Sequence, residues 1–261
     1  MTSTFRRGVV VAGALSAAAV VAGAQVKRPA QPPVVRRAPP DSLVRAAIAA
    51  GGGASALSAA RVLEWDAKAT VYAAGRKISL TGTWRLLPPD SAISTTWETE
   101  KGPTGARSLV IAGPKGWVQR DTALVTMPEA RRVEERHQFY LYSLLRLVTL
   151  WEPGVGLVPI RPDVDGNPGL LVARTARLPV ELYFDKSGRV ARMFTNFATN
   201  NGKLGDPQDV VLSGAIEAGG IKWFRKMTIT RAGKPYYEME ITALRVKSSL
   251  TDPMLAGWLG R

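Results

Sequence analysis

The sequence predicts a mainly β fold of the α+β class: a strongly curved, antiparallel half-barrel sheet of about eleven strands, with a central lid helix and short N-terminal helices. Three observations carry that expectation. Apolar and polar residues alternate with period two through long runs, so each strand has one wet face, as in antiparallel rather than buried parallel sheets. Turn residues separate these runs at short, even spacing. One stretch, Pro128 to Trp151, has instead the period of a helix. A sheet of that length curls, and curling leaves a concave face for the helix to fill or cover.

Residues 1–24 read as a secretory signal peptide that stands apart from the fold. Arg6 and Arg7 give a positive start, Gly8 to Gly23 is a run of small apolar residues, and Ala22-Gly23-Ala24 fits the cleavage pattern, with cutting after Ala24. The run is rich in Ala, Gly and Val and is shorter than the ~20 residues of a membrane-spanning helix. The arginine pair leaves the choice between general secretory and twin-arginine export open. Residues 25–40 carry five prolines among basic residues and read as an extended tether, which leaves 41–261 as a single folded domain. The expected address is the periplasm.

Composition narrows the function classes. The 261-residue chain has 46% hydrophobic residues, enough for one sizeable core, and no cysteine, which excludes disulfides, thiolate metal sites and a lipidated cysteine. Its formal charge is +14, but Arg6, Arg7, Lys27, Arg28, Arg36 and Arg37 supply six of those charges before the first acid at Asp41, leaving +8. The remaining basic residues are scattered along strands, which argues against nucleic acid and leaves an anionic membrane surface as a candidate partner.

The folded part starts with Asp41 as the N-cap of a short helix, Ser42 to Ala50, stopped by Gly51-Gly52-Gly53; no Lys-Ser or Lys-Thr follows at phosphate-loop spacing. A second short helix near Ala54 to Ala60 follows. Leu63, Trp65, Ala67, Ala69 and Val71 then alternate with polar residues, and Ile78, Leu80, Gly82, Trp84 and Leu86 do so after a turn at Ala73-Ala74-Gly75-Arg76. Ile93 to Lys101, Arg107 to Ala112, Trp117 to Arg120 and Ala123 to Thr126 complete the first set of strands. From Phe139 onward the helix is apolar except for Ser143, Arg146 and Thr149, which are spaced by three, so it has two greasy faces to hide. Beyond the break at Pro153 to Gly156, strand runs resume at Leu157–Val164, Leu170–Ala176, Val180–Phe184, Val190–Phe197, Val210–Glu217, Ile221–Arg231 and Tyr236–Val246. A last turn or short helix is expected from Asp252 to Leu259.

No catalytic constellation stands out, and the expectation is of a protein that is not an enzyme and has no cofactor or metal. His137 is the only histidine and falls among charged helix residues, where a surface position is expected. No Gly-x-Ser-x-Gly elbow is present. Asp163-Val-Asp165-Gly166-Asn167 lacks the later glutamate of a calcium loop and reads as a hairpin turn. Glu64, Asp66, Glu98 and Glu100 fall on wet strand faces. What remains is aromatic and apolar, and Trp65, Trp84, Trp97, Trp117, Phe139, Tyr140, Leu144, Leu145 and Trp223 are the candidate lining of a ligand cavity.

A resemblance joins these residues. Leu178-Pro-Val-Glu-Leu-Tyr-Phe-Asp185 followed by Lys186-Ser-Gly-Arg-Val190, Gly116-Trp117 after a hairpin, Gly219-Gly220-Ile221, and the closing Thr251-Asp-Pro-Met-Leu255 resemble the periplasmic lipoprotein-carrier superfamily of LolA, RseB and LppX-type proteins. Trp223 stands where that pattern has a proline, and no arginine aligns with the carriers' lock residue. The resemblance implies an unclosed, curved sheet lidded by helices. It also implies a cavity for lipid or lipoprotein acyl chains and a monomer in solution. An RseB-like envelope sensor with a filled core and a protein partner is the alternative.

Overall fold

Strands alternating in polarity can only settle where one face is dry, and here a single curved sheet supplies that face. The computed structural model describes residues 39–88, 91–120, 123–198 and 204–249. The expected signal peptide, almost all of the tether and the Asp252–Leu259 turn lie outside them. The compact unit that contains the described residues is Arg37–Arg261.

Two helices lead in, α1 (Pro40–Ala50) and α2 (Ala54–Ala59). The first begins one residue before Asp41, with proline at its first position, where a missing N–H is harmless. Its end is a Schellman closure: Gly53 N–H reaches Ile48 O at 2.8 Å and Gly52 N–H reaches Ala49 O at 3.2 Å. Gly52 has φ 111°, and a Cβ there would lie 2.1 Å from Gly220 O, so this glycine both ends the helix and admits a neighbouring hairpin.

An N-terminal meander follows, β1 (Val62–Ala73), β2 (Arg76–Leu87), β3 (Ser91–Glu98), β4 (Arg107–Ala112), β5 (Lys115–Arg120) and β6 (Ala123–Thr126). The helix α3 (Glu129–Leu144) then leads to a second meander. That comprises β7 (Val155–Ile160), β8 (Gly169–Arg174), β9 (Val180–Phe184), β10 (Val190–Ala198), β11 (Leu204–Ser213), the hairpin β12 (Ile216–Ala218) and β13 (Ile221–Trp223), then β14 (Lys226–Arg231) and β15 (Lys234–Lys247). Among the described residues thirteen strands form one antiparallel sheet in the order β6-β5-β4-β3-β2-β1-β15-β14-β11-β10-β9-β8-β7, and β12 pairs with β13 apart from it. β15 joins β1 in the middle, while β6 and β7 remain unpaired edges, so the sheet is open. α3 is the connection between those two edges and lies across the concave face.

The fold class is the expected one, with two local differences. The runs Val210–Glu217 and Ile221–Arg231 each divide, because Gly214 takes φ 64° and the chain leaves the sheet to form the β12–β13 hairpin. The helix also stops at Leu144 instead of continuing to Trp151. Ser143 Oγ donates to Tyr140 O at 2.7 Å, Leu147 turns to φ 61°, and its N–H closes on Leu144 O at 2.9 Å. A short 3-10 turn, Val148–Trp151, completes the run.

The hairpins β1–β2 and β14–β15 close with two-residue loops, Ala74-Gly75 and Ala232-Gly233, both residues of each at positive φ, as right-handed strand twist favours. Between β2 and β3 the backbones approach so closely that a Cβ on Gly82 would lie 2.3 Å from Thr95 O. A larger residue there would force the strands apart.

Candidate functional site

The helix that crosses the sheet has two chemically different halves, and they pack differently. Its C-terminal half is packed into the core. Leu141, Tyr142 and Leu144 are buried, and Tyr142 sits amid Trp65 (ring centroids 5.8 Å apart), Phe139 (5.9 Å) and Phe224 (6.4 Å). Trp223 extends the group, 5.4 Å from Phe224 and 6.5 Å from Trp65. These five rings plug the concave face at that end. Burial raises the Tyr142 hydroxyl well above the ordinary phenol range, partly offset by a hydrogen bond with Gln138.

The N-terminal half carries Arg131, Glu134, Glu135 and Gln138 on the stripe that faces the sheet, continued by Phe139 and Tyr142. Charged side chains resist close packing against an apolar wall because their heads keep to water. A cavity of about 210 Å3 remains between this stripe and the sheet. Leu80, Trp84, Leu109, Val118, Ile229 and Tyr237 form its apolar wall, and Ser94, Thr96, Arg107, Arg231 and Tyr236 supply the polar groups. In size it exceeds the roughly 150 Å3 of a cavity that takes up benzene and falls below the roughly 300–1,000 Å3 of drug-sized pockets.

The candidate lining residues thus do not come together in one place. Trp84 and Phe139 line the cavity. Trp65 and Trp223 belong to the aromatic plug, and Trp223 with Leu145 also borders a smaller space of about 50 Å3 near α1. Leu144 is core, and Tyr140 lies away from the cavity with the Arg177 guanidinium 4.9 Å from its ring centre. Trp117 packs with Ile93, Val110 and Leu87 in a separate cluster on the opposite face, and Trp97 shares that face by alternation with Ser94 and Thr96.

Tyr142, Tyr236, Tyr237, Arg107 and Arg231 are cavity residues that the sequence reading did not single out. The i, i+3, i+4, i+7 spacing of Arg131, Glu134, Glu135 and Gln138 was the available clue. Their polarity hid it.

The other sequence candidates have structural roles. His137 is buried rather than exposed, because α3 is packed against β10 along this side, and its Nε2 lies 3.4 Å from Thr195 Oγ1. Burial, with Arg177 and Arg231 nearby, lowers its pKa to about 4. Asp163 ties its own turn, its carboxylate accepting from the N–H groups of Asp165 and Asn167 at 3.0 and 2.9 Å. Glu64 is buried on the convex face under Arg85, Arg245 and Lys247, at 2.7, 2.6 and 3.0 Å. Burial pushes this carboxyl up, and the three cations outweigh it and hold it at about 2. Among the described residues no group of three or more His, Asp or Glu side chains is arranged to hold a metal.

These features define a class: an open, curved antiparallel sheet with a helix joining its two edges across the concave face and a half-plugged cavity beneath. Solved structures share this architecture. An outer membrane lipoprotein-sorting protein domain from Vibrio parahaemolyticus superposes with TM-score 0.54 at 11% identity, over 84% of this chain and 97% of that one. A DUF1329 family protein from Desulfovibrio piger gives 0.53 at 10%, over 82% and 95%. A LolA superfamily protein from Nitrosomonas europaea gives 0.53 at 11%, over 77% and 95%. The fold is therefore that of the LolA-like lipoprotein-sorting structures, at an identity that establishes architecture alone. Neither a protein-family model nor a curated protein sequence matches the chain.

Proposed function

We propose that this is an exported, periplasmic binding protein that holds an apolar chain, from a lipid or a lipoprotein, in the space between α3 and the concave face. The observation that supports this reading most is the cavity of about 210 Å3 under the charged half of the helix, in a fold whose other half is tightly plugged. Burying acyl methylenes contributes about 0.8 kcal/mol each. The volume accepts a short segment of one chain, so a longer one requires α3 to lift from the sheet. The aromatic plug favours the rival reading, an envelope sensor with a filled core and a protein partner.

Native mass spectrometry with lipid extraction, on the mature protein purified from a periplasm, separates the two. Co-purified lipid that is lost from a cavity-filling Leu109→Trp variant supports a carrier. A clean apo mass in folded protein supports the protein-partner reading. Sequencing the mature N-terminus in the same preparation tests export and cleavage after Ala24.

A further inference from the structure

The cavity wall is not electrically balanced. Three guanidinium groups come together at its β4–β5 side: Arg107 on the inner face of β4, Arg120 directly across the ladder on β5, and Arg131 from the first turns of α3. Of these, Arg131 has a carboxylate, Glu135, at 3.5 Å. Among the described residues the next acid, Glu98, is taken by Lys101 at 2.8 Å. Arg107, half-buried and lining the cavity, has no ion pair or side-chain hydrogen bond among the described residues. Burial, and then the charges of Arg131 and Arg120, push its pKa below the usual range, and the more distant carboxylates of Glu135 and Glu98 offset this only in part.

The arginine on the cavity's other side is in the opposite condition. Arg231 donates to Glu134 at 2.9 Å and to Gln208 at 2.9 Å and is stacked on Tyr236, so its charge is already paired and its face covered. An apolar space bordered by a guanidinium without an ion pair among the described residues fits a molecule with an apolar tail and an anionic head, and a planar fork suits carboxylate or phosphate oxygens.

We propose that the cavity selects single-chain amphiphiles with an anionic head, a carboxylate or phosphate monoester, whose oxygens pair with Arg107 while the tail lies along Leu80, Trp84 and Phe139. This rests on the carrier reading and adds the ligand's charge and chain number. One chain is specified because the volume leaves no room for two.

The test is displacement of the neutral fluorophore N-phenyl-1-naphthylamine from the full mature protein by ten-carbon amphiphiles below their micelle-forming concentrations: decanoate, decyl phosphate and decan-1-ol. Decanoate or decyl phosphate is expected to displace the probe at about tenfold lower concentration than decanol, the worth of one charge-assisted hydrogen bond. The gap should narrow in high salt. Arg107→Gln should abolish the preference and still bind probe, and Arg107→Lys should keep part of it. The better of the two anions assigns the head to carboxylate or phosphate.

Equal displacement by all three in the wild type, or a preference that survives Arg107→Gln, overturns the inference and leaves the carrier reading standing, since decanol still competes. A folded protein that binds neither probe nor amphiphile overturns both. The wild-type comparison decides the matter even if a variant fails to fold, which circular dichroism would report.

Discussion

Arg231 Nη1 donates to Glu134 Oε1 at 2.9 Å, which ties β14 to α3 beside the cavity. The Tyr236 hydroxyl donates to the same oxygen at 3.1 Å, and the guanidinium lies 3.4 Å from the Tyr236 ring centre and 4.1 Å from that of Phe197. With the C-terminal half of the helix held by packed rings, this charged contact fastens the polar half to the sheet together with Gln138, whose Oε1 accepts from Gln208 Nε2 at 3.2 Å. Glu134→Gln should destabilise the protein by about 1–2 kcal/mol, less than a fully buried pair because both partners keep some solvent. Amide exchange should accelerate over residues 131–138 and stay unchanged over 139–144. Equal acceleration along the whole helix would show that the two halves open as one.

Leu109→Trp puts a ring into open volume, whereas Leu144→Asp puts a charge into packed core. The first should change stability by no more than about 1–3 kcal/mol and suppress binding of an apolar fluorophore. The second leaves a buried carboxylate without a partner and should unfold the domain. Denaturant titrations of both, with probe binding on the folded one, check the distinction between cavity and core.

Acid should act on Glu64 in a defined window. Its folded pKa of about 2 lies below the ordinary 4.5, so the stability it contributes is complete above pH 4.5 and is lost as pH falls toward 2. The shift corresponds to about 3 kcal/mol. Glu64→Gln should lose a similar amount at neutral pH, since Arg85, Arg245 and Lys247 remain crowded together, and should flatten the stability profile below pH 4.5.

His137 acts in an adjoining window. Its folded pKa, about 4, lies below the ordinary 6.5, so between these values the unfolded chain binds more protons. Stability therefore falls as pH drops from 6.5 to 4, by up to about 3 kcal/mol. His137→Phe should remove that limb and leave the Glu64 limb intact. Urea unfolding at closely spaced pH values resolves the two.

Much of the fold was legible because it rests on local patterns. Leu63, Trp65, Ala67 and Ala69 alternate with Glu64, Asp66 and Lys68, and that alternation places the first set in the core and Glu64 on the far face. Paired positive-φ turns at Ala74-Gly75 and Ala232-Gly233 set the register of their hairpins. The candidate site was less legible. Trp97 and Trp117 are strand tryptophans like Trp65 and Trp84, but each stands an odd number of residues from the inward positions of its own strand, so the pleat sends it to the other face.

By itself, then, the sequence determined that period-two strands and one long helix would meet, because alternation and helical spacing are properties of neighbouring residues. It also determined that the meeting would be a mainly antiparallel half-barrel. Only the tertiary structure decided where space is left. The greasy half of α3 finds complementary rings in Trp65, Trp223 and Phe224, which are remote in sequence, and closes on them. The charged half finds an apolar wall that it cannot pack against, and the cavity stays open there, with Arg107 at its edge and without an ion pair among the described residues. A void is the mismatch between two surfaces, and neither surface alone specifies it.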